Sequence, residues 1–144
     1  MTDESPVFSQ TDNSTGLEVL GRDDCIELIQ ATPIGRLGFV DEGQPVVLPV
    51  NFRWTGHAVV FRTLEGDKLH AAAMNQPVAF EVDDWDTATN LGWSVVFKGI
   101  AHEVTNWAEA EELEQLGLVP WSSDVWRQKW VKVVPEEISG RRLQ

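Results

Sequence analysis

Three side chains suited to binding an anion lie close together in the segment FRTLEGDKL: Arg62, Thr63 and Lys68. A phosphate is bound by a guanidinium, an ammonium, a hydroxyl and free backbone N–H groups that approach from several directions. Thr63 ends a predicted strand and Lys68 follows the turn at Gly66, so the two side chains can face one another. The amides leading into KLHAAAMNQ add a helix N-terminus. The segment therefore predicts a phosphate-binding turn.

Two observations oppose this interpretation. Neighbouring residues of a strand project to opposite faces, so Arg62 has to leave regular alternation to join Thr63. Lys68 is also compatible with an exposed loop lysine, and Thr63 with a residue chosen only because threonine favours strands. Composition alone favours this second interpretation, and both stay open at this point.

Other patterns that carry chemistry are absent from the chain. The histidines His57, His70 and His102 lack the spacing of a metal site, so we expect no metal. Cys25 falls on the apolar side of a predicted helix, which favours a small buried hydrophobe over a nucleophile. No Gly-x-Ser-x-Gly elbow, Walker loop or Gly-x-Gly-x-x-Gly turn occurs. The carboxylates of VDDWD are interpreted as a solvated strand end with no cleft. No catalytic residue is identified.

Composition limits the partners of the protein. The chain has 144 residues, a formal net charge of -12 and 42% hydrophobic residues. Nucleic acids and anionic membranes attract clustered Lys and Arg, so neither is an expected partner. A single cysteine excludes an internal disulfide framework, and no apolar run approaches the roughly 18 residues of a membrane span. The N-terminus has no secretion-signal pattern, so a cytoplasmic location is the default expectation.

The order of predicted elements favours a mainly β fold. Residues 1–16 are polar and are predicted to form a flexible arm or strap, followed by one domain over residues 17–144. Helices are predicted in RDDCIELIQA, with Asp23 or Asp24 as the N-cap, in KLHAAAMNQ, and in NWAEAEELEQLG, with Asn106 in a capping box. A shorter helical piece is predicted around SSDVWRQK.

Six strand segments separate and follow these helices. They are RLGFVD, PVVLPVNFR, HAVVFRT, VAFEVD, WSVVFKGIAHEV and WVKVVPEEI, with a bulge or bend expected at Gly99. Without regular βαβ alternation, they favour an antiparallel sheet that curls into a barrel. A barrel of this size fills its interior with side chains, so a ligand has to bind at a rim, between strands or between subunits.

From about Leu17 to Leu143 the sequence resembles the FMN-binding split-barrel proteins of the pyridoxamine 5'-phosphate oxidase-like family, in particular their short bacterial branch. The resemblance depends on the order and spacing of GRLGFVDEGQPVVLPVNF, VVFRTLEGDKL, PVAFEVDDWD, GWSVVFKGIAHEV and ISGRR. It implies a six-stranded antiparallel split β-barrel that forms a homodimer with flavin clefts at the subunit interface. It also implies an FMN-dependent oxidoreductase that acts on an unidentified small molecule.

The resemblance implies a set of cofactor-binding residues. Those beside the flavin ring are Pro49, Val50 and Asn51; those at the phosphate are Arg62, Thr63 and Lys68; further contacts are Trp93 and Ser94. Trp93 is equally compatible with a core or interface aromatic. The closing Arg141 and Arg142 either reach the ligand or partner subunit or form a solvated tail.

The chain departs from the true pyridoxamine 5'-phosphate oxidases. It lacks their extra basic residues on the phosphate strands and their basic, histidine-containing C-terminal segment, so the vitamin substrate is not implied. Two alternatives remain: a deazaflavin-dependent reductase and a non-catalytic flavin-binding or ligand-sensing module. The acidic composition disfavours the deazaflavin, whose long anionic tail needs extra basic surface.

Overall fold

Strands form most of the chain. The structure is a computed structural model that describes residues 10–11, 16–64, 66–118 and 128–143. Within these residues the strands are β1 (Gln10–Thr11), β2 (Glu18–Leu20), β3 (Ile34–Asp41), β4 (Gln44–Asn51), β5 (Arg53–Trp54), β6 (Val59–Leu64), β7 (Pro77–Asp86), β8 (Leu91–Glu103) and β9 (Gln128–Arg142). The helices are α1 (Arg22–Ile29), α2 (Lys68–Ala73) and α3 (Trp107–Glu114).

The strands form a closed antiparallel circuit. β4, β3, β7, β8 and β9 pair in that order, and β9 also pairs with β6. β6 pairs with β5, which continues β4 after the interruption at Phe52. Counting β4 and β5 as one strand, six strands surround the barrel, which confirms the predicted fold. The remaining edge of β9 is shared between β6 at its start and β2 at its end, and the sheet splits there.

Alternating side chains of these strands fill the barrel. Phe61 and Phe80 are fully buried with their rings stacked 6.4 Å apart, and Phe52 meets Phe80 edge-on at 4.9 Å. Cys25 and Ile29 of α1 join the same cluster. As expected for a small barrel, side chains fill the interior, so a ligand has to bind on the outside.

The outward-facing residues of β3, β4, β8 and β9 form a second apolar surface, here called the outer sheet face. Its members are large and exposed: Val40 is 58% exposed, Val47 65% and Val134 44%. Pro45 pairs with Val40, and Ile100 pairs with Val134, so both extend the same surface. The salt bridge between Lys98 and Glu137 lies within this face, so the surface is apolar with an ion pair across it. Large exposed apolar side chains grouped in this way are typical of a surface that another molecule covers.

The N-cap residue predicted for α3 is confirmed, whereas the one predicted for α1 is not. The Asn106 side chain accepts a hydrogen bond from the Glu109 N–H at 2.9 Å, as predicted for the start of α3. The predicted capping of α1 by Asp23 or Asp24 is wrong. Gly21 is the N-cap residue without a side-chain bond, and both aspartates lie in the first turn. There they still interact favourably with the helix dipole.

Two predicted segments lie largely outside the described residues. Of the N-terminal arm, the structure describes a short strand at Gln10–Thr11, which pairs with β2, and Gly16. Of the helical piece around SSDVWRQK, it describes Gln128 and Lys129, and both belong to strand β9 instead. Neither outcome tests the division into an arm and one domain, which stays a prediction. None of the described helices is long and apolar enough to cross a membrane.

The predicted bulge at Gly99 is confirmed, and it gives a test of the barrel. The register between β8 and β9 shifts between Lys98 and Gly99. A Cβ at Gly99 would lie 2.5 Å from the backbone carbonyl oxygen of Val134, which cannot move aside without disturbing the ladder. We expect Gly99→Ala to lower the free energy of unfolding by roughly 1–3 kcal/mol in urea denaturation.

The matched control is Gly38→Ala, a second strand glycine whose added Cβ would have no neighbour closer than 3.7 Å. It should leave the free energy of unfolding within about 0.5 kcal/mol of wild type. Equal destabilisation by the two substitutions would contradict the close backbone approach at the bulge.

Candidate functional site

Thr63 occupies an unusual position at the end of β6. Val59, Phe61 and Thr63 alternate on the inward side of the strand, and Thr63 is 6% exposed. Its Oγ1 atom is buried and has no hydrogen-bond partner within the described residues. A buried hydroxyl without a partner carries a desolvation cost of about 1–3 kcal/mol, which a ligand acceptor would offset.

Arg62 faces the other way. Its guanidinium stacks over Trp130 at 4.8 Å and forms a salt bridge with Glu114 at 3.2 Å. The Trp130 indole N–H donates to the same Glu114 carboxylate at 2.6 Å. The structure therefore does not bring Arg62 together with Thr63, because strand alternation separates them and Arg62 attaches α3 to β6.

The turn after β6 returns the chain beside Thr63. The Asp67 N–H donates to the Leu64 carbonyl at 3.2 Å, and Gly66 has a φ of 86°, which glycine adopts readily. Lys68 follows as the first residue of α2. It is exposed, and within the described residues its ammonium has no hydrogen bond or salt bridge. Lys68 therefore lies on the surface after the turn, whereas the Thr63 hydroxyl is buried on the inward side of β6.

The start of α2 is less open than predicted, because the Asp67 side chain accepts a hydrogen bond from the His70 N–H at 2.8 Å. The His70 ring in turn contacts the Glu103 carboxylate of β8 at 2.7 Å, which fixes α2 against the barrel. The anion-binding capacity of the turn therefore depends on Lys68 and Thr63 more than on the helix amides.

The end of β4 lies next to this turn. Pro49 is exposed and Asn51 half-buried on the outer side, whereas Val50 points inward and is 8% exposed. Continuing the register in which Arg53 pairs with Val60 sets Val50 opposite Thr63, and β4 and β6 are in contact. We call Pro49–Asn51, Thr63 and Lys68 together the β6 half-site.

Trp93 and Ser94 belong to a different place, here called the β8 half-site. Trp93 packs against the barrel core, while Ser94 lies on the outer side between Asp83 of β7 and Arg141 of β9. A groove of ≈ 340 Å³ runs along them. Its other lining residues include Glu81, Asp84, Trp85 and Leu143. The prediction that the VDDWD carboxylates have no cleft is therefore wrong for Asp83 and Asp84.

The two half-sites are far apart within one chain. Thr63 pairs with Lys129 near the start of β9, and Ser94 pairs with Arg141 near its end, twelve residues farther along the strand. At about 3.3 Å per residue this is roughly 40 Å measured along the path of the strand. The two half-sites therefore lie near opposite ends of β9.

Glu81 on β7 has the most perturbed carboxylate beside the groove. Its side chain and that of Asp83 both contact Nη1 of Arg36, at 3.1 and 2.6 Å. Burial, followed by the neighbouring Asp83, raises the pKa of Glu81 to about 7, against the opposing effect of Arg36. One guanidinium nitrogen cannot neutralise two carboxylates, so we expect Glu81 to hold a proton near neutral pH.

Comparison with known proteins identifies the family. The sequence profile of the family described as "Pyridoxamine 5'-phosphate oxidase" matches residues 21–142. The chain belongs to the pyridoxamine 5'-phosphate oxidase-like family. This match confirms the resemblance found in the sequence.

Solved structures of similar family members share the fold. One is the FAD binding protein from Mycobacterium smegmatis, with a TM-score of 0.78 and 36% identity over 86% of this chain and 96% of that one. Another is a "putative pyridoxamine 5'-phosphate oxidase" from Corynebacterium glutamicum, with a TM-score of 0.77 and 31% identity over 88% and 97% of the two chains. A Mycobacterium tuberculosis relative named "Uncharacterized protein Rv0080" is 31% identical over 86% of this chain and 84% of its own.

Sequence reasoning missed Glu81 and Arg36 in this member of the pyridoxamine 5'-phosphate oxidase-like family. Neither belongs to a motif, and their contact depends on the pairing of Arg36 with Glu81 between β3 and β7. The alternation of VAFEVD gave the only signal, since it places Glu81 and Asp83 on one face. Within the described residues no group of three or more His, Cys, Asp or Glu is arranged to hold a metal.

The raised pKa of Glu81 predicts a pH dependence of stability. The ordinary value is 4.5 and the folded value about 7, so the folded protein binds this proton more strongly than the unfolded chain. The contribution of Glu81 to stability is therefore complete below pH 4.5 and is lost as the pH rises through about 7. In urea denaturation, Glu81→Gln should show a smaller loss of stability from about pH 5 to 8 than wild type.

The matched control is Glu111→Gln on the exposed side of α3, which should keep the wild-type pH dependence. If Glu81→Gln and wild type lose the same stability over this range, Glu81 does not titrate there.

Proposed function

We propose that this protein binds a flavin in the β6 half-site and acts as a flavin-dependent oxidoreductase on a small molecule. The observation that carries the proposal is the buried Thr63 hydroxyl, which has no hydrogen-bond partner among the described residues and is followed across the Gly66 turn by the exposed Lys68. These groups suit the phosphate of a flavin nucleotide. The Thr63 hydroxyl can donate a hydrogen bond to a phosphate oxygen, and the Lys68 ammonium carries a positive charge that attracts it. The description of the M. smegmatis relative as FAD binding supports a flavin in this fold.

The flavin, when bound, supplies the hydride and electron transfer itself, so the chain needs no acid–base motif of its own. Thr63 and Lys68 hold the phosphate end. The exposed Pro49 and half-buried Asn51 border the ring on the outer side of β4, where proline does not interrupt the pairing with β3. Arg62 is not proposed as a phosphate ligand, because its guanidinium already forms a salt bridge with Glu114 and stacks over Trp130.

Among the flavins, FMN is our first proposal. Its single phosphate matches the small number of donors at the turn, and a chain of net charge -12 accommodates larger anions poorly. FAD is the second candidate, because the M. smegmatis relative is described as binding it. A deazaflavin is the third, since its longer acidic tail needs more cations. Mass spectrometry of the ligand that co-purifies distinguishes the three.

We also propose that the protein is a homodimer whose two flavin clefts lie at the subunit interface. The separation of the half-sites along β9 supports this proposal, because the β8 half-site of a second copy can complete a flavin site begun by the β6 half-site of the first. The outer sheet face supports it as well, since Val40, Val47 and Val134 form an exposed apolar surface that a partner can bury.

Anaerobic reduction tests the proposed activity. NADH or NADPH, added to the flavin-loaded protein, should bleach the flavin absorbance, and an added quinone or oxygen should restore it. A bound flavin that no nicotinamide donor reduces and no acceptor reoxidises would favour the non-catalytic binding module instead.

A further inference from the structure

A second groove, here called the Arg53 groove, lies between the end of α1 and the start of β5. Its volume is ≈ 340 Å³, near the lower limit for small-molecule sites, and it suits a ligand with a single ring. Residues 29–33 form one wall and residues 52–54 the other. Because β5 continues β4, the groove begins directly after Asn51, at the end of the proposed flavin ring site.

The charge of the groove comes from Arg53. Its Nη1 atom donates to the Phe52 carbonyl at 3.0 Å, and within the described residues no carboxylate lies within 4.0 Å of it. By contrast, Arg36, Arg62 and Arg142 are each paired with carboxylates. In a chain with 23 acidic and 11 basic residues, an arginine that leaves its fork exposed beside a groove is available to an external anion.

The walls of the groove combine buried apolar side chains with the polar residues Gln30 and Thr32. Ile29 is fully buried, Phe52 is 2% exposed, and both pack in the barrel core. The Trp54 indole meets Phe97 edge-on at 5.6 Å, so its orientation is set by the core. None of the lining residues is acidic. A cleft that offers the aromatic and aliphatic side chains of Ile29, Phe52 and Trp54 and one guanidinium, with no acidic lining residue, favours a ring that carries an acidic group.

We propose that the Arg53 groove binds a small aromatic carboxylate, and that this class of compound is the substrate that reaches the flavin. A carboxylate fits better than a phosphate, because one planar guanidinium satisfies a monoanion in bidentate geometry, whereas a dianion needs further cations. The assignment as a substrate rests on the proposed function, but carboxylate binding by the groove does not.

Benzoate binding to the flavin-free protein tests the site. By NMR titration, benzoate should shift the Trp54 indole and nearby amide signals in a saturable way, and the isosteric neutral benzamide should bind at least about tenfold more weakly. Arg53→Gln should bind benzoate about tenfold or more weakly than wild type. The benzoate affinity of Arg53→Lys should lie between those of wild type and Arg53→Gln, because lysine keeps the positive charge but lacks the planar guanidinium. Circular dichroism confirms that the variants are folded.

Arg22→Gln is the matched control, since Arg22 is exposed at the opposite end of α1 and does not line the groove. It should bind benzoate as wild type does. Equal benzoate affinity in wild type and Arg53→Gln, equal affinity for benzoate and benzamide, or no saturable shift would overturn the proposal. A flavin titration of Arg53→Gln separates this site from the flavin site: unchanged flavin affinity with lost benzoate binding is the expected result.

Discussion

Replacing Lys68 with alanine should weaken FMN binding by roughly 1.5–3 kcal/mol, the range for a hydrogen bond to a charged group. This corresponds to a roughly 10- to 150-fold higher dissociation constant. Lys68 is the exposed cation at the turn, and within the described residues it has no competing partner, so its removal leaves the phosphate with the Thr63 hydroxyl. The measurement is a fluorescence-quenching titration of flavin-free protein.

The control for this prediction is Arg22→Ala, which removes an exposed cation at the start of α1, remote from the turn. It reports the effect of net charge alone and should change the FMN dissociation constant by less than about twofold at physiological salt. If Lys68→Ala binds FMN as wild type does, the phosphate lies elsewhere.

Replacing Val47 with aspartate should convert the proposed homodimer to a monomer. Val47 is 65% exposed on the outer sheet face, and a dimer that buries this surface would place the new carboxylate among Val40, Pro45 and Ile100, where the ammonium of Lys98 is already paired with Glu137 at 3.5 Å. An unpaired charge in an apolar interface costs several kcal/mol. Sedimentation analysis at micromolar concentration measures the change.

Trp107→Asp serves as the matched control for the dimer. Trp107 is 78% exposed on α3, away from the outer sheet face, so its replacement introduces the same charge elsewhere. It should leave the dimer intact. A monomeric wild type, or a Val47→Asp variant that stays dimeric, would contradict the proposed interface.

Mixing two variants tests whether the flavin site is shared between subunits. Lys68→Ala damages the β6 half-site and Trp93→Ala the β8 half-site, so a mixed dimer contains one intact site and one doubly altered site. After subunit exchange, about a quarter of all sites should recover wild-type FMN affinity. No recovery in the mixture would show that each site belongs to a single chain.

The strand order could be predicted from the sequence because each segment carries its own signal. The alternation in VVFRTL, the turn at Gly66 and the glycine at position 99 are local features, and the structure confirms the strands, the turn and the bulge. The cap at Asn106 is equally local, because the accepting side chain and the Glu109 N–H that donates to it lie three residues apart. Local chemistry of this kind does not depend on tertiary packing.

The parts that were wrong or missed depend on register between strands. The Asp83 and Asp84 carboxylates line a groove only because β7 pairs with β8 next to Ser94. The contact of Arg36 with Glu81 likewise needs β3 to pair with β7 in one register. The contacts of Arg62 could not be predicted for a different reason. Its neighbour Thr63 was correctly expected on the opposite face, but its partners Glu114 and Trp130 are remote in sequence.

The α1 cap shows how propensity can mislead. Asp23 and Asp24 are favourable N-cap residues, yet the N-cap position lies two residues before Asp23, at Gly21. Burial of Cys25 and Ile29 against the barrel fixes where the helix lies. Tertiary packing therefore decided the helix start over the preference of a single side chain.

Flavin binding is the central claim, and a titration of the flavin-free protein with FMN, FAD and a deazaflavin tests it most directly. We expect quenching of FMN fluorescence to saturate with one site per chain, and FMN to bind more tightly than the other two. A purified protein that is colourless, carries no flavin by mass spectrometry and quenches none of these cofactors would contradict the account.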